Sequence, residues 1–218
     1  MAVLTSIAGP SKAGKSRSLK DLNWDETFVF RPNRKPFSFP RAGEITKPWD
    51  SKEKKGHYIY TEDYEIMGVI LKKLPEYGKK CIVIEDSTHL MTEEFMGKID
   101  QKGYDKFNEM AAHYYNLIKT AERLPEDVRV YFINHVEPDV NGDTKIKTIG
   151  KMLDEKVDIP SYFTICLGAS KTKDGHKFRT QTTGRDFYGS PEEMFETDLI
   201  DNDLNMVDKT IKEYYGIK

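Results

Sequence analysis

The residues best suited to chemistry stand at the N-terminus. There Gly9-Pro10-Ser11-Lys12-Ala13-Gly14-Lys15-Ser16 satisfies G-x-x-x-x-G-K-[ST] at every defined position. Glycines at this spacing let the backbone curl so that several N–H groups face one phosphate, and a following helix adds the positive end of its dipole. A lysine after the second glycine reaches the β- and γ-phosphates, and the adjoining hydroxyl ligates Mg²⁺. Here those residues are Lys15 and Ser16, with Arg17 next in line to touch a nucleotide. The pattern predicts a nucleoside triphosphate with Mg²⁺ as ligand, and hydrolysis as its use.

A metal in such a loop also needs a carboxylate from the end of a neighbouring strand. Cys81-Ile82-Val83-Ile84 is a continuous apolar run followed at once by Glu85-Asp86-Ser87. Because side chains alternate along a strand, the two acids point to opposite sides and one of them faces the metal. Asp86 is favoured as the Mg²⁺ carboxylate, and Glu85 is the candidate for holding water. A second strand, Val130 to Ile133, ends in Asn134-His135. A polar group at that strand end is placed to sense the γ-phosphate or orient the attacking water, which makes His135 a catalytic candidate.

These groups need a scaffold that brings several strand ends to one edge. Val3 to Ala8 reads as a buried first strand, with a helix from Gly14-Lys15-Ser16 to about Asp21. Thr27 to Phe30 and His57 to Tyr60 read as further strands, separated by residues 31–56. That stretch holds four prolines and many charges and reads as an irregular insertion. Thr61 is the expected N-cap of a helix running to about Tyr77. Phe107, Met110, Ala111, Tyr114, Leu117, Ile118, Ala121 and Leu124 recur at helical spacing. Continuous apolar strands alternating with helices predict an α/β domain, its parallel sheet covered on both faces. Near the C-terminus, Tyr162 to Ala169 and Lys177 to Thr182 flank Asp174-Gly175, a hairpin signal, and Asp203 to Tyr215 reads as a terminal helix.

At 218 residues the chain suits one domain. Lys+Arg number 34 against 36 for Asp+Glu, a formal net charge of -2, so any grip on nucleic acid must come from a local patch. Cys81 and Cys166 both lie in apolar runs with no metal spacing and read as buried thiols. The apolar N-terminus is short, lacks a basic flank and leads straight into the loop, so it reads as a strand rather than a signal peptide. No apolar stretch approaches the roughly 18 residues of a membrane span. The expectation is a soluble, cytoplasmic protein with no membrane partner.

Several stretches together resemble the RecA-like core ATPases, and more narrowly the phage-encoded AAA-type ATPases that include single-strand annealing and recombination proteins. They are GPSKAGKS, ETFVFRPNRKPFSFP, CIVIEDSTHLM, EEFM, KGYDKF, YFINHVEPD, KIKTIGKMLDEKV and SPEEMFETDLIDNDL, nearly the whole chain. The resemblance implies one RecA-like P-loop NTPase domain over residues 1–218. Its mostly parallel sheet would be flanked by helices, and a C-terminal β-hairpin and terminal helix, residues 160–218, would pack on the core. It further implies ATP and Mg²⁺ as cofactors, single-stranded DNA as partner, and a homo-oligomer with nucleotide between subunits. Glu62 becomes a candidate general base, although Thr27 to Phe30 competes as the equivalent strand. Lys98, Lys102, Lys106, Lys145, Lys147 and Lys151 fall in the positions of DNA-contacting loops. Lys171 and Lys173 match lysines that reach a neighbour's γ-phosphate, with Arg179 and Arg185 as alternatives. A nucleotide or small-molecule kinase and a helicase-loader or packaging accessory module are the competing functions. ATP and GTP are not separated by any base-reading motif.

Overall fold

Side chains of the central strands divide between two apolar clusters in strict alternation. Leu4, Phe28, Phe30, Ile82, Ile84, Val130 and Phe132 enter one cluster. Their neighbours Val3, Ile7, Val29, Cys81, Val83, Tyr131 and Ile133 enter the other. A strand with both faces buried must lie inside a sheet covered on both sides. The computed structural model, which describes all 218 residues, has that form. It is a mixed α/β fold with a large, mostly parallel central sheet flanked by helices.

In chain order the elements are β1 (Val3–Ala8), β2 (Thr27–Arg31), α1 (Ala42–Ile45), β3 (Tyr58–Tyr60), α2 (Tyr64–Lys73), β4 (Cys81–Ile84), α3 (Ser87–Gly97) and α4 (Asp105–Glu122). They continue with β5 (Arg129–Asn134), β6 (Val136–Pro138), β7 (Thr144–Ile146), α5 (Lys151–Lys156), β8 (Ile165–Thr172), β9 (Gly175–Arg179), β10 (Leu199–Asp201) and α6 (Leu204–Tyr215). Eight strands form one sheet in the order β10-β9-β8-β1-β5-β4-β2-β3. The six from β8 to β3 are parallel, and β9 and β10 add antiparallel. Ala8 registers with Asn134 and Gly168, and Ile84 with Phe132 and Phe30. The residues that follow these strands therefore emerge along one edge.

Residues of α2, α3 and α4 fill one face, and α6 with Leu19 and Leu22 fills the other. α6 is held by a buried polar clamp. The Arg129 guanidinium donates to both Asp208 oxygens at 2.9 and 2.8 Å, and the Tyr131 hydroxyl donates to Oδ1 at 2.5 Å.

Several expectations need revision. The strand after Tyr162 is no appendage: β8 pairs directly with β1 and belongs to the parallel core. Its hairpin turns through Lys173-Asp174, with Thr172 opposite Gly175, so Gly175 opens β9 rather than closing the turn. The helix expected after the glycine-rich loop is a 3₁₀ segment, Ser16–Asp21. Asp63, not Thr61, caps α2, accepting from the amides of Glu65 and Ile66 at 2.8 and 3.0 Å. α2 ends at Lys73 because Pro75 has no N–H to continue the ladder, and a 3₁₀ turn carries the chain to Tyr77. Ser87–Gly97 forms a helix directly after the acidic strand end, and the β6–β7 ribbon turns near Asn141-Gly142, a hairpin signal absent from the expectations above. Residues 31–56 are not simply irregular. Phe37 and Phe39 pack with Trp24, and Phe28 with Trp49, which anchors the stretch to the sheet.

Candidate functional site

The edge where β1, β4 and β5 end carries a cleft of about 430 Å³. Its lining is Ser11, Lys12, Gly14, Lys15, Ser16, Arg17, Lys35, Ser38, Asp86, His135 and His176, with no apolar side chain among them. Four cationic side chains face a single carboxylate, a charge balance suited to a polyanion.

The loop that forms the floor depends on its glycines. Gly14 has φ +99°, and a Cβ there would fall 2.7 Å from His176 Nδ1. A Cβ on Gly9 would lie 2.5 Å from the carbonyl oxygen of Ala169 on β8. The close approach of loop to sheet thus requires glycine at both positions. The amides of Ser11, Lys12, Gly14 and Lys15 have no acceptor within the protein, which leaves four N–H donors among the lining residues. Lys15 is buried, and its ammonium donates to the carbonyls of Gly9 and Pro10 at 2.7 and 2.9 Å. Burial lowers its pKa from 10.5 to about 8, with Asp86 opposing and Lys35 reinforcing the shift. His176 on β9 meets the Ala13 carbonyl at 3.0 Å. Ser16 and Arg17 line the wall.

Only two residues connect β4 to α3, and they go separate ways. Asp86 adopts a left-handed conformation, φ +48°, which an aspartate tolerates better than most side chains. It enters the cleft, where it pairs with Lys35, accepts from Asn33 Nδ2 at 3.3 Å and faces His135 Nε2 at 3.4 Å. Burial works against its ionisation, but His135 and Lys35 outweigh that and hold its pKa below the usual carboxylate range. Glu85 instead turns inward to Arg31 and does not line the cleft. Asp86, His89 and His135 each offer a ligand atom within 4.8 Å of the others, so this corner could hold a divalent cation. Ser16 and Asp86 both line the cleft and offer the oxygen donors a hard cation such as Mg²⁺ would take.

The remaining candidates are placed as follows. Asn134 is fully buried, with its amide bonded to Ser6 and its oxygen to Ser87 and Tyr114, so β5 presents only His135 to the cleft. Glu62 is exposed beyond β3, four strand spacings (about 19 Å) from β1, and does not reach the cleft. β2 lies between β3 and β4 and ends in Arg31, Asn33 and Lys35 rather than an acid. Lys171 and Lys173 stand exposed at the β8–β9 tip without ion-pair partners. Lys98 is tied to Glu94 and Glu109, Lys106 to the carbonyls of Lys98 and Gln101, and Lys145 to Glu137 and Asp154. Lys102, Lys147 and Lys151 are exposed.

Sequence reasoning missed Lys35, Asn33, Ser38, His89 and His176. The alternation Phe37-x-Phe39 next to Lys35 is the available signal that the supposed insertion folds back onto the sheet. No protein-family model matches the chain, and no curated protein matches it.

Proposed function

We propose that this chain is a Mg²⁺-dependent ATPase of RecA-like layout that works on single-stranded DNA. The observation that carries the reading is the cleft itself. A glycine-dependent loop with four unpaired amides and Lys15 faces a carboxylate, Asp86, delivered by a strand two places away. Lys15 and the loop amides would hold the phosphates, while Ser16 and Asp86 would hold Mg²⁺, whose chemistry is to neutralise charge between β- and γ-phosphates. His135, 3.4 Å from Asp86 and part of the cleft lining, would orient an attacking water. Water oxygen bonds to the terminal phosphorus as the bridging P–O bond breaks, its electron pair leaves on the diphosphate, and the water proton passes to solvent.

A DNA role is supported by a surface that the linear sequence concealed. Tyr104, 85% exposed, and Phe107 lie with Lys151, Met152, Lys156 and one acid, Glu155, in a single largely apolar depression. Gly150 packs against the Phe107 ring, which brings the two lysine-bearing connections together. Aromatic faces beside lysines are what stacked bases and a phosphate backbone require. Lys171 and Lys173 are available to a neighbouring subunit. The kinase reading gains little: of the three arginines near residue 31, Arg31 is buried on Glu85, Arg41 pairs with Glu44, and Arg34 is exposed but does not line the cleft.

ATP turnover with and without single-stranded DNA, beside a salt-dependent binding titration, tests the reading. Stimulated turnover and salt-sensitive binding are expected. ATP hydrolysis without either would remove the DNA role, and no ATP binding would remove the ATPase.

A further inference from the structure

Lys35 sits in the cleft and in none of the roles assigned above. Its ammonium pairs with Asp86 Oδ2, the carboxylate oxygen turned away from His135. Its side chain is half exposed while Asp86 is 4% exposed, so the lysine reaches in from solvent to a buried acid. The backbone beneath it is fixed. Arg31 Nη2 donates to the Lys35 carbonyl at 2.7 Å, and the same guanidinium lies 3.7 Å from the centre of the Phe37 ring. Arg31 Nε is in turn held by Glu85 at 2.7 Å, with both side chains almost fully buried. Residues 32–37 thus wrap around one buried arginine, with a rigid base and a flexible four-carbon arm that ends on Asp86.

We propose that Lys35 is a cation shared between Asp86 and the terminal phosphate of a bound triphosphate. It neutralises Asp86 until a divalent cation claims that carboxylate, and then supplies positive charge to the phosphate within the same subunit. The inference rests on the triphosphate reading of the cleft. The physical basis is competition: one buried carboxylate cannot serve a lysine and a metal ion equally well. The displaced ammonium stays tethered beside Lys15, where transferred phosphoryl oxygens gather charge. A cation aimed at those oxygens stabilises the transition state more than the ground state. Arg31 and Glu85 act as positioning residues, which gives the interior ion pair a purpose beyond stability.

The full chain carrying Lys35→Met or Lys35→Arg tests this. Lys35→Met removes one partner of the buried Asp86, which keeps Asn33 and His135, so the variant should lose some stability but not the fold; circular dichroism checks this, and Lys35→Arg keeps the charge. Mn²⁺ titrated into protein alone and followed by electron paramagnetic resonance should bind several-fold more tightly to K35M than to wild type. A fluorescent ATP analogue should bind K35M comparably, whereas turnover should fall on the order of 100-fold, the usual loss on removing one transition-state donor. K35R should recover most of that turnover. Unchanged Mn²⁺ affinity, or K35M turnover within about threefold of wild type, overturns the inference while leaving the ATPase reading intact. A wild-type chain that binds no analogue overturns the reading and the inference with it.

Discussion

Arg31 and Glu85 form an ion pair inside the protein, Nε to Oε2 at 2.7 Å, with side chains 1% and 3% exposed. The pair joins the end of β2 to the end of β4 and removes one of two adjacent acids from the cleft. It also leaves Glu85 Oε1 without a hydrogen-bond partner. Two buried charges of this kind gain little over an apolar pair, but each is costly without the other.

Glu85→Ala should therefore destabilise the fold by about 3–5 kcal/mol, because it strands the guanidinium. The double change Arg31→Met with Glu85→Leu should recover much of that loss. Urea denaturation of both variants reads the difference, and a double variant no more stable than the single one would show that shape, not charge, holds this junction.

Lys15 ties pH to both stability and binding. Its pKa is lowered from 10.5 to about 8 in the fold, so between those values the unfolded chain binds more protons at this site. Its contribution makes the native state relatively more stable as pH rises through that window. Polyphosphate affinity should run the other way, falling above about pH 8 by up to tenfold per unit as the ammonium is lost. Binding of a fluorescent ATP analogue measured from pH 7 to 10 checks this; a flat profile would mean that Lys15 carries no phosphate.

Two glycines with positive φ should respond differently to alanine. At Gly14 a methyl would meet His176 at 2.7 Å, whereas at Gly78, φ +74°, nothing lies within 4 Å. Gly78→Ala should cost about 1 kcal/mol of left-handed strain alone. Gly14→Ala should cost more and weaken phosphate binding as well, as thermal denaturation with and without ATP will report.

The pair Lys171→Ala and Lys173→Ala should abolish cooperativity in ATP turnover and leave nucleotide binding unchanged. Turnover like that of wild type would mean that the hairpin tip reaches no neighbouring site.

On the depression between α4 and α5, Tyr104→Ala should cost about 1–3 kcal/mol in single-strand affinity. Replacing Lys151 or Lys156 should lower the slope of log affinity against log salt by about 0.7 for each phosphate that the variant no longer neutralises. Equal slopes in wild type and variant would place the DNA elsewhere.

The phosphate-loop pattern, the buried strands and the long helix α4 were legible in the sequence because each rests on local spacing. A glycine pattern or an apolar period acts over a few neighbouring residues. Helix boundaries were less so, since Asp63 and Pro75 decide α2 through a cap and a missing N–H. Which distant residues share a surface depends instead on the order in which the strands pair. Strand order put β2 beside β4, and this drew Glu85 to Arg31 and set Lys35 against Asp86. Parallel pairing with β1 made β8 part of the core. The loop that opens the chain therefore keeps its local meaning, while its partners across the cleft are chosen by strands whose neighbours no local pattern encodes.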